Sequence, residues 1–279
     1  MIGSVRMRIA IAVFCVTGTF ALRAQPPGPL SSCVIVQELS GETALTPANP
    51  MCDTRLSPAS TFKIPHALVA LETGVVTTDS VERWNGTKYE GQAKWNQDHT
   101  VISALRPSVL WFFQRIAPRI GAERMADWLA KLDYGNRNTS GSVSEYWING
   151  TLQISPREQL TFVRRFYRGE LPIDAVHVLA VRDGLQQSRG AVENSLGVHR
   201  LEGDWREASL NAKTGATTAA GYRVSWLAGE LQVRKGRFAF ASAVWRSNGP
   251  VDTLDAAKLA ARTFTQLRLL PASDAATRP

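Results

Sequence analysis

Two side chains that could do chemistry together lie three residues apart in the stretch SPASTFKIPHALVAL, residues 57–71. Positions i and i+3 share one face of a helix, so the amine of Lys63 could approach the hydroxyl of Ser60. Serine becomes a good nucleophile only when a base removes its proton, and burial among the apolar flanks would favour the neutral amine. The alternative is that Ser60 caps a helix and Lys63 is solvated, and the pair alone favours this alternative.

A second stretch with chemical potential is NAKTGATT, which contains Lys213-Thr214-Gly215. On a strand, these residues offer a cation, a hydroxyl and a backbone edge without a side chain. Such an edge could hold a carboxylate and align a planar amide substrate. By itself the triplet is equally typical of a strand end followed by a glycine turn.

The elements that would position these residues place strands at both ends of the chain and helices between them. The stretch 155–169 begins with Ser155 as the N-cap, Pro156 at the first helical position and Glu158 at the capping-box position. Strands are predicted at 32–39, 208–217, 221–231 and 237–245, and helical segments at 61–71, 107–117, 121–132, 155–169 and 253–270. The order predicts an α+β protein, with an antiparallel sheet built from both termini, an inserted helical lobe and a cleft between them.

Composition and charge exclude several other classes of protein. The 279 residues are 44% hydrophobic and 20% charged, which suits one large domain. The formal charge is +8, but the Lys and Arg residues are scattered, so a solvated surface is predicted rather than a nucleic-acid site. The same charge could favour small anionic substrates. The four histidines form no H-x-H or H-E-x-x-H pattern, so no metal site is predicted.

The first 24 residues have the pattern of a secretory signal peptide. Arg6 and Arg8 precede an apolar run from Ile9 to Leu22, and the small residue Ala24 follows. The run is shorter than the roughly 20 residues of a spanning helix, which favours cleavage and periplasmic export over a membrane anchor. Cleavage would lower the formal charge from +8 to +5 and leave a catalytic domain at 25–270 and a flexible tail at 271–279.

Two cysteines stay in the exported chain, Cys33 and Cys52. An even pair in an exported protein indicates a disulfide, and two buried thiols are the alternative. The bridge would close a loop of roughly 20 residues and contribute about 3 kcal/mol in the chain-entropy account.

Taken together, the motifs resemble the penicillin-recognising serine enzymes and, more specifically, the class D β-lactamases, or oxacillinases. The resemblance extends from Cys33 to Leu270, with the motifs in the family's order. The matching stretches are SPASTFKIPHALVALETG, WNQDHT (95–100), Ser108-Val109-Leu110, Tyr134-Gly135-Asn136, YWINGTLQIS (146–155) and Lys213-Thr214-Gly215. The resemblance implies a three-layer αβα fold and hydrolysis of β-lactam antibiotics through a serine acyl-enzyme, and hence antibiotic resistance.

The same resemblance implies a role for each matching residue. Ser60 would be the nucleophile, and Lys63 would react with CO2 to become an N-carboxylated lysine, the general base of both acylation and deacylation. Trp147 would donate its indole N–H to that carbamate, because a buried anion needs a hydrogen-bond donor. Ser108 would relay a proton to the leaving ring nitrogen.

The remaining family positions would bind the substrate. Lys213, Thr214 and Gly215 would line the substrate strand, and the backbone N–H groups of Ser60 and Ala216 would form the oxyanion hole. The loop Tyr134-Gly135-Asn136 would border the cleft. The expected partners are small β-lactam molecules, with CO2 or bicarbonate as the source of the carbamate and a monomer or weak homodimer as the assembly.

Two departures from the family pattern affect these expectations. The middle motif ends in Leu110 where valine is usual, and Leu110 and Ile148 would form an apolar lid over the carbamate that affects deacylation. The stretch 253–261 lacks the arginine that binds the substrate carboxylate in many members, which leaves Thr214, Lys213 or another residue such as Arg246.

Two related activities are alternatives to a turnover enzyme. A DD-peptidase of the same fold would be expected to carry asparagine at position 110 and to keep its lysine free. A β-lactam sensor would acylate once and signal, but such sensors follow a long membrane domain.

Overall fold

The computed structural model describes residues 27–271. The predicted signal peptide, residues 1–24, lies outside the described residues, as does all but the first residue of the predicted tail, 271–279. Helices and strands follow in the order β1 (Ser31–Glu38), α1 (Lys63–Glu72), α2 (Leu110–Ile120), α3 (Ala122–Leu132), α4 (Pro156–Arg168), α5 (Ala175–Gly184), β2 (Ala191–Asn194), β3 (Gly197–Arg200), β4 (Ser209–Ala219), β5 (Tyr222–Val233), β6 (Gly236–Arg246) and α6 (Asp255–Gln266).

The main sheet has four antiparallel strands in the order β1-β6-β5-β4. The N-terminal strand pairs with the last one, with Cys33 opposite Ala243. The predicted sheet from both termini is therefore confirmed. In this order β4 lies at an edge, so the backbone groups on its outer side are available for other contacts.

The two faces of the sheet bury different helices, because successive side chains along a strand point to opposite faces. Ile35, Trp226 and Ala241 face the large core formed with the helices between β1 and β4. Leu227 and Phe240 face the smaller core formed with α6. The layers confirm the expected α+β fold of three αβα layers.

Several predicted boundaries change in the folded chain. The capping box of α4 forms as predicted, with Ser155 accepting from the N–H of Glu158. The final helix ends at Gln266 and not at 270, because the backbone turns at Arg268, whose φ is 54°, and the N–H of Leu269 returns to the carbonyl of Phe264.

Two elements were not predicted, α5 and the β2–β3 hairpin. Val176 and Leu179 of α5 are exposed, so its apolar residues do not follow a single buried face. Strand β2 carries buried Glu193 and Asn194, which a periodicity of apolar residues does not reveal. Both elements lie just before β4 and contribute to the surroundings of its first half.

The predicted disulfide is confirmed between Cys33 of β1 and Cys52. Cys52 lies in a 3₁₀ turn, Pro50–Asp53, so the bond fixes the chain a few residues before Ser60 to the sheet. Within residues 27–271, each of the helices is too short or too polar to cross a lipid bilayer.

Candidate active site

The first predicted catalytic pair, Ser60 and Lys63, lies at the junction of two helical segments. Ser60 belongs to a 3₁₀ turn, Ala59–Phe62, and Lys63 is the first residue of α1. The Nζ atom of Lys63 lies 2.8 Å from the Oγ atom of Ser60. Ala59, just before the nucleophile, has a φ of 49°, which is uncommon for a residue with a side chain. The short turn brings the hydroxyl and the amine together, which the sequence spacing alone left open.

The environment of Lys63 favours its neutral form. Its side chain is fully buried, and its ammonium position lies 5.5 Å from the centre of the Phe113 ring. Burial lowers the pKa of Lys63 well below its usual value, and the charge of Lys213 lowers it further. A neutral amine has a lone pair that can accept the hydroxyl proton of Ser60. The solvated alternative for Lys63 is therefore wrong.

The second predicted catalytic pair, Ser108 and Lys213, joins the helical lobe to the sheet. Lys213 of β4 donates from Nζ to Ser108 Oγ at 3.1 Å and to the carbonyl of Thr214 at 2.9 Å. Ser108 lies two residues before α2 and has a φ of 60°. Burial lowers the pKa of Lys213 to about 7, while the carboxylate of Glu193 acts in the opposite direction. Lys213 can therefore both hold and release a proton near neutral pH.

The edge of β4 packs directly on the nucleophile turn at Gly215. A Cβ atom at this position would lie 3.1 Å from the backbone nitrogen of Thr61 and 3.2 Å from that of Ser60. Those distances are tighter than ordinary contacts, so a side chain would push the strand away from the turn. Glycine at 215 therefore allows the strand to approach the backbone N–H of Ser60.

Alternate residues of β4 also direct their backbone N–H and C=O groups toward this edge. The N–H of Ala212 donates to Leu185, and the carbonyl of Leu210 accepts from Gln187, so both point away from β5. Backbone direction alternates along an antiparallel strand, so Thr214 and Ala216 continue the outward series. The N–H of Ala216 therefore lies on the same edge as the nucleophile turn, as an oxyanion hole requires.

Trp147 closes the site from the helical lobe. Its side chain is buried and stacks on Phe62, with ring centres 5.6 Å apart. Its carbonyl accepts from Ser57 Oγ at 2.8 Å, which fixes it to the segment before the nucleophile. Among the described residues, its Nε1 atom has no hydrogen-bond partner. A buried donor of this kind is expected to face an acceptor that the protein itself does not supply.

The two predicted lid residues, Leu110 and Ile148, come shortly after Ser108 and Trp147 in the chain. Leu110 is the first residue of α2 and Ile148 follows Trp147, and both are partly buried against the main core. The carbonyl of Ile148 accepts from Thr217 Oγ1 of β4 at 2.8 Å. Their role as a lid over a carbamate stays a prediction.

The register of the sheet narrows the choice of residues that could bind the substrate carboxylate. Thr214 is opposite Leu227, which is opposite Ser242 on β6. Arg246 lies four residues beyond Ser242, or roughly 13 Å along the strand. Arg246 is therefore a poor candidate for a group bound at Lys213 and Thr214, and Thr214 is the better one.

Two residues of the site carry no recognisable signal in the sequence. His66, one turn after Lys63, is fully buried between Phe62, Phe113 and Trp147. Glu193 of β2 is buried beside Lys213, and its carbonyl accepts from Thr214 Oγ1 at 3.3 Å. Glu193 could not be found because only the unpredicted β2–β3 hairpin brings it here.

The predicted absence of a metal site stays a prediction. Within residues 27–271, no group of three or more His, Cys, Asp or Glu side chains is arranged to hold a metal ion. The residues brought together here are two serines and two buried lysines.

Comparison with known proteins agrees with this geometry. A family model described as the penicillin binding protein transpeptidase domain matches residues 33–267. β-Lactamase OXA-2 of Salmonella typhimurium is 37% identical over 196 residues, which cover 70% of this chain and 66% of that relative. The regulatory protein BlaR1 of Bacillus licheniformis is 34% identical over 192 residues, or 67% of this chain and 29% of that protein.

Solved structures give the same result for the fold. The class D β-lactamase from Bacillus subtilis superposes with a TM-score of 0.72 and 30% identity, covering 86% of this chain and 92% of that one. The paired Ser60–Lys63 and Ser108–Lys213 contacts agree with these matches. The chain therefore belongs to the penicillin-binding transpeptidase family and, within it, to the class D serine β-lactamases.

Proposed function

We propose that this protein hydrolyses β-lactam antibiotics through an acyl-enzyme on Ser60. The observation that carries the proposal is the partly buried contact of 2.8 Å between Ser60 Oγ and Lys63 Nζ. It places a nucleophile beside a base that burial keeps neutral. The Ser108–Lys213 pair supplies the proton donor that the leaving group needs.

Acylation follows from these contacts with every proton assigned. Ser60 Oγ passes its proton to the Lys63 side chain and forms a bond to the β-lactam carbonyl carbon. The backbone N–H groups of Ser60 and Ala216 hold the oxyanion. The ring C–N bond then breaks, and its nitrogen takes the proton of Ser108 Oγ, which Lys213 replaces.

Carboxylation of Lys63 by CO2 is part of the proposal. The fit rests on Trp147, whose buried Nε1 lacks an acceptor among the described residues. The low pKa of Lys63 also supports it, since only a neutral amine bonds to CO2, releasing one N–H proton to solvent. When present, the carbamate supplies an anionic oxygen base for acylation and for the hydrolytic water.

Export and resistance complete the proposal. Removal of residues 1–24 would release the enzyme into the bacterial periplasm, where it meets β-lactams before they reach their targets. Leu110 and Ile148 would control how water reaches the acyl-enzyme. The enzyme would act as a monomer or weak homodimer without a dissociable cofactor.

The test is turnover of a chromogenic cephalosporin by the purified mature protein, with and without added bicarbonate. We expect many turnovers per enzyme, stimulation by bicarbonate, and a loss of about 10⁵-fold or more in Ser60→Ala. Ser40→Ala, which alters an exposed serine before the disulfide-bonded turn, is the matched control and should keep full activity.

A β-lactam sensor is the second candidate, because BlaR1 is similar over its matched part. One product molecule per enzyme followed by arrest would support the sensor and contradict the hydrolase. A slow release of product from peptides ending in D-Ala-D-Ala, without β-lactam turnover, would support a peptidase.

A further inference from the structure

His66 occupies an unusual position for a polar side chain in this core. Its ring is fully buried, and its centre lies 5.2 Å from that of Trp147 and 5.3 Å from that of Phe113. Lys63 Nζ approaches the same Phe113 ring, at 5.5 Å, and residues 63 and 66 share one helix face. The imidazole, the indole and the lysine amine therefore surround one small volume of the core.

The nitrogen atoms around this volume lack hydrogen-bond partners. Within the described part of the chain, seven buried side-chain polar atoms have none. Three of the seven are here: both ring nitrogens of His66 and Nε1 of Trp147. A buried polar group without a partner destabilises the fold, so such a concentration indicates a ligand.

We propose that His66 is a positioning residue for the carboxylated form of Lys63, to which its ring N–H donates a hydrogen bond alongside the indole N–H of Trp147. The inference rests on the carboxylation proposed above and adds a residue to it. Two donors on one anion explain why both side chains are polar in an otherwise apolar core. Ser60 stays free to serve as the nucleophile.

The chemistry of imidazole suits this role. The neutral ring has one N–H donor and one acceptor nitrogen, so it can donate to an anion without carrying a charge itself. Burial lowers the pKa of His66 and so favours the neutral ring, while the charge of the carbamate acts in the opposite direction. A neutral donor stabilises the carbamate and does not protonate it, which keeps the base available.

The test measures carboxylation directly and does not depend on activity. The mature protein is titrated with ¹³C-bicarbonate, and the carbamate carbon signal is followed by NMR in the wild type, His66→Phe and His66→Asn. We expect His66→Phe to need roughly tenfold more bicarbonate or higher for half-carboxylation, since a hydrogen bond to a charged group is lost. His66→Asn, which keeps an N–H donor, should recover most of the affinity.

A second measurement uses the unaltered protein, so it holds even where a variant fails to fold. With ¹⁵N-labelled histidine, a ring-nitrogen signal of His66 should shift as the carbamate forms, while the signals of His99, His177 and His199 stay constant. An unchanged His66 signal, or equal bicarbonate affinity in His66→Phe, overturns the inference.

The test of His66 can be separated from the test of the proposed function, because cephalosporin turnover is measured on the same samples. Turnover without any carbamate signal in the wild type would overturn the His66 inference and the carboxylation, and would leave hydrolysis standing. Absence of turnover with a normal carbamate signal would overturn hydrolysis and leave His66 in its role.

Discussion

The two buried lysines of the site, Lys63 and Lys213, have opposite surroundings. The amine of Lys63 lies over the ring of Phe113 and donates to the hydroxyl of Ser60. The amine of Lys213 donates to Ser108 and to the carbonyl of Thr214, and the carboxylate of Glu193 acts on it. Burial lowers the pKa of both, but within residues 27–271 only Lys213 has a nearby anion that offsets the effect.

The difference assigns a different task to each amine. An apolar environment without a counter-charge removes the proton from Lys63 and so prepares a base. A carboxylate beside Lys213 keeps its pKa near 7, where a proton can be both held and delivered. Glu193 is in turn held by Lys94 at 2.5 Å and by Arg106 at 3.7 Å, so its charge is fixed in place.

The largest expected effect comes from replacing each lysine with methionine. Lys63→Met should lower kcat roughly 10⁴-fold because the base is lost, and Lys213→Met roughly 10²-fold because water can still supply the proton. Steady-state kinetics with a chromogenic cephalosporin measures both. Equal losses would contradict separate roles for the two amines.

Stability gives the control for the same pair of variants. Lys63→Met replaces a buried polar group with an apolar side chain of similar volume. The free energy of unfolding in urea should therefore stay constant or rise. A large fall in stability would mean that the kinetic loss reflects misfolding.

A smaller effect is expected when the counter-charge of Lys213 is removed. Glu193→Gln should move the pKa of Lys213 below 7, so its protonated fraction at neutral pH falls. The alkaline limb of the kcat/KM profile should therefore shift to lower pH, with a loss of about threefold at pH 7. Glu90→Gln, at an exposed ion pair with Lys88, is the matched control and should leave the profile unchanged.

An effect on stability, and not on rate, is expected from the pH dependence of His66 near Lys63. His66 titrates near its usual pKa of 6.5 when unfolded and at about 3 when folded, so the unfolded chain binds the extra proton between these values. Stability from this residue is therefore complete above pH 6.5 and is lost as the pH falls toward 3, by up to about 1.4 kcal/mol per pH unit.

The measurement is urea unfolding from pH 7 to pH 4 in the wild type and His66→Asn. The variant should lack this part of the slope because it has no imidazole to titrate. His199→Asn, at a partly exposed histidine, is the control. Parallel curves for the wild type and His66→Asn would mean that His66 is not held neutral by the core.

Much of the fold followed from local patterns. The apolar alternation of β4–β6 and the capping box of α4 were sufficient to predict these elements, because both patterns depend on residues close in sequence. The hairpin β2–β3 and helix α5 did not follow from local patterns. Glu193 of β2 is buried through contacts with residues distant in the chain, such as Lys94 and Arg106, and α5 exposes the apolar residues Val176 and Leu179.

The sequence by itself determined the four reacting side chains, Ser60, Lys63, Ser108 and Lys213, since their types and spacing match one family. Only the tertiary structure decided their electrostatics. Whether a lysine is neutral depends on how completely it is desolvated and whether an anion lies near it, and residues far apart in the chain set both. The same reason hides His66, whose unpaired nitrogens become significant only when Trp147 and Phe113 enclose them.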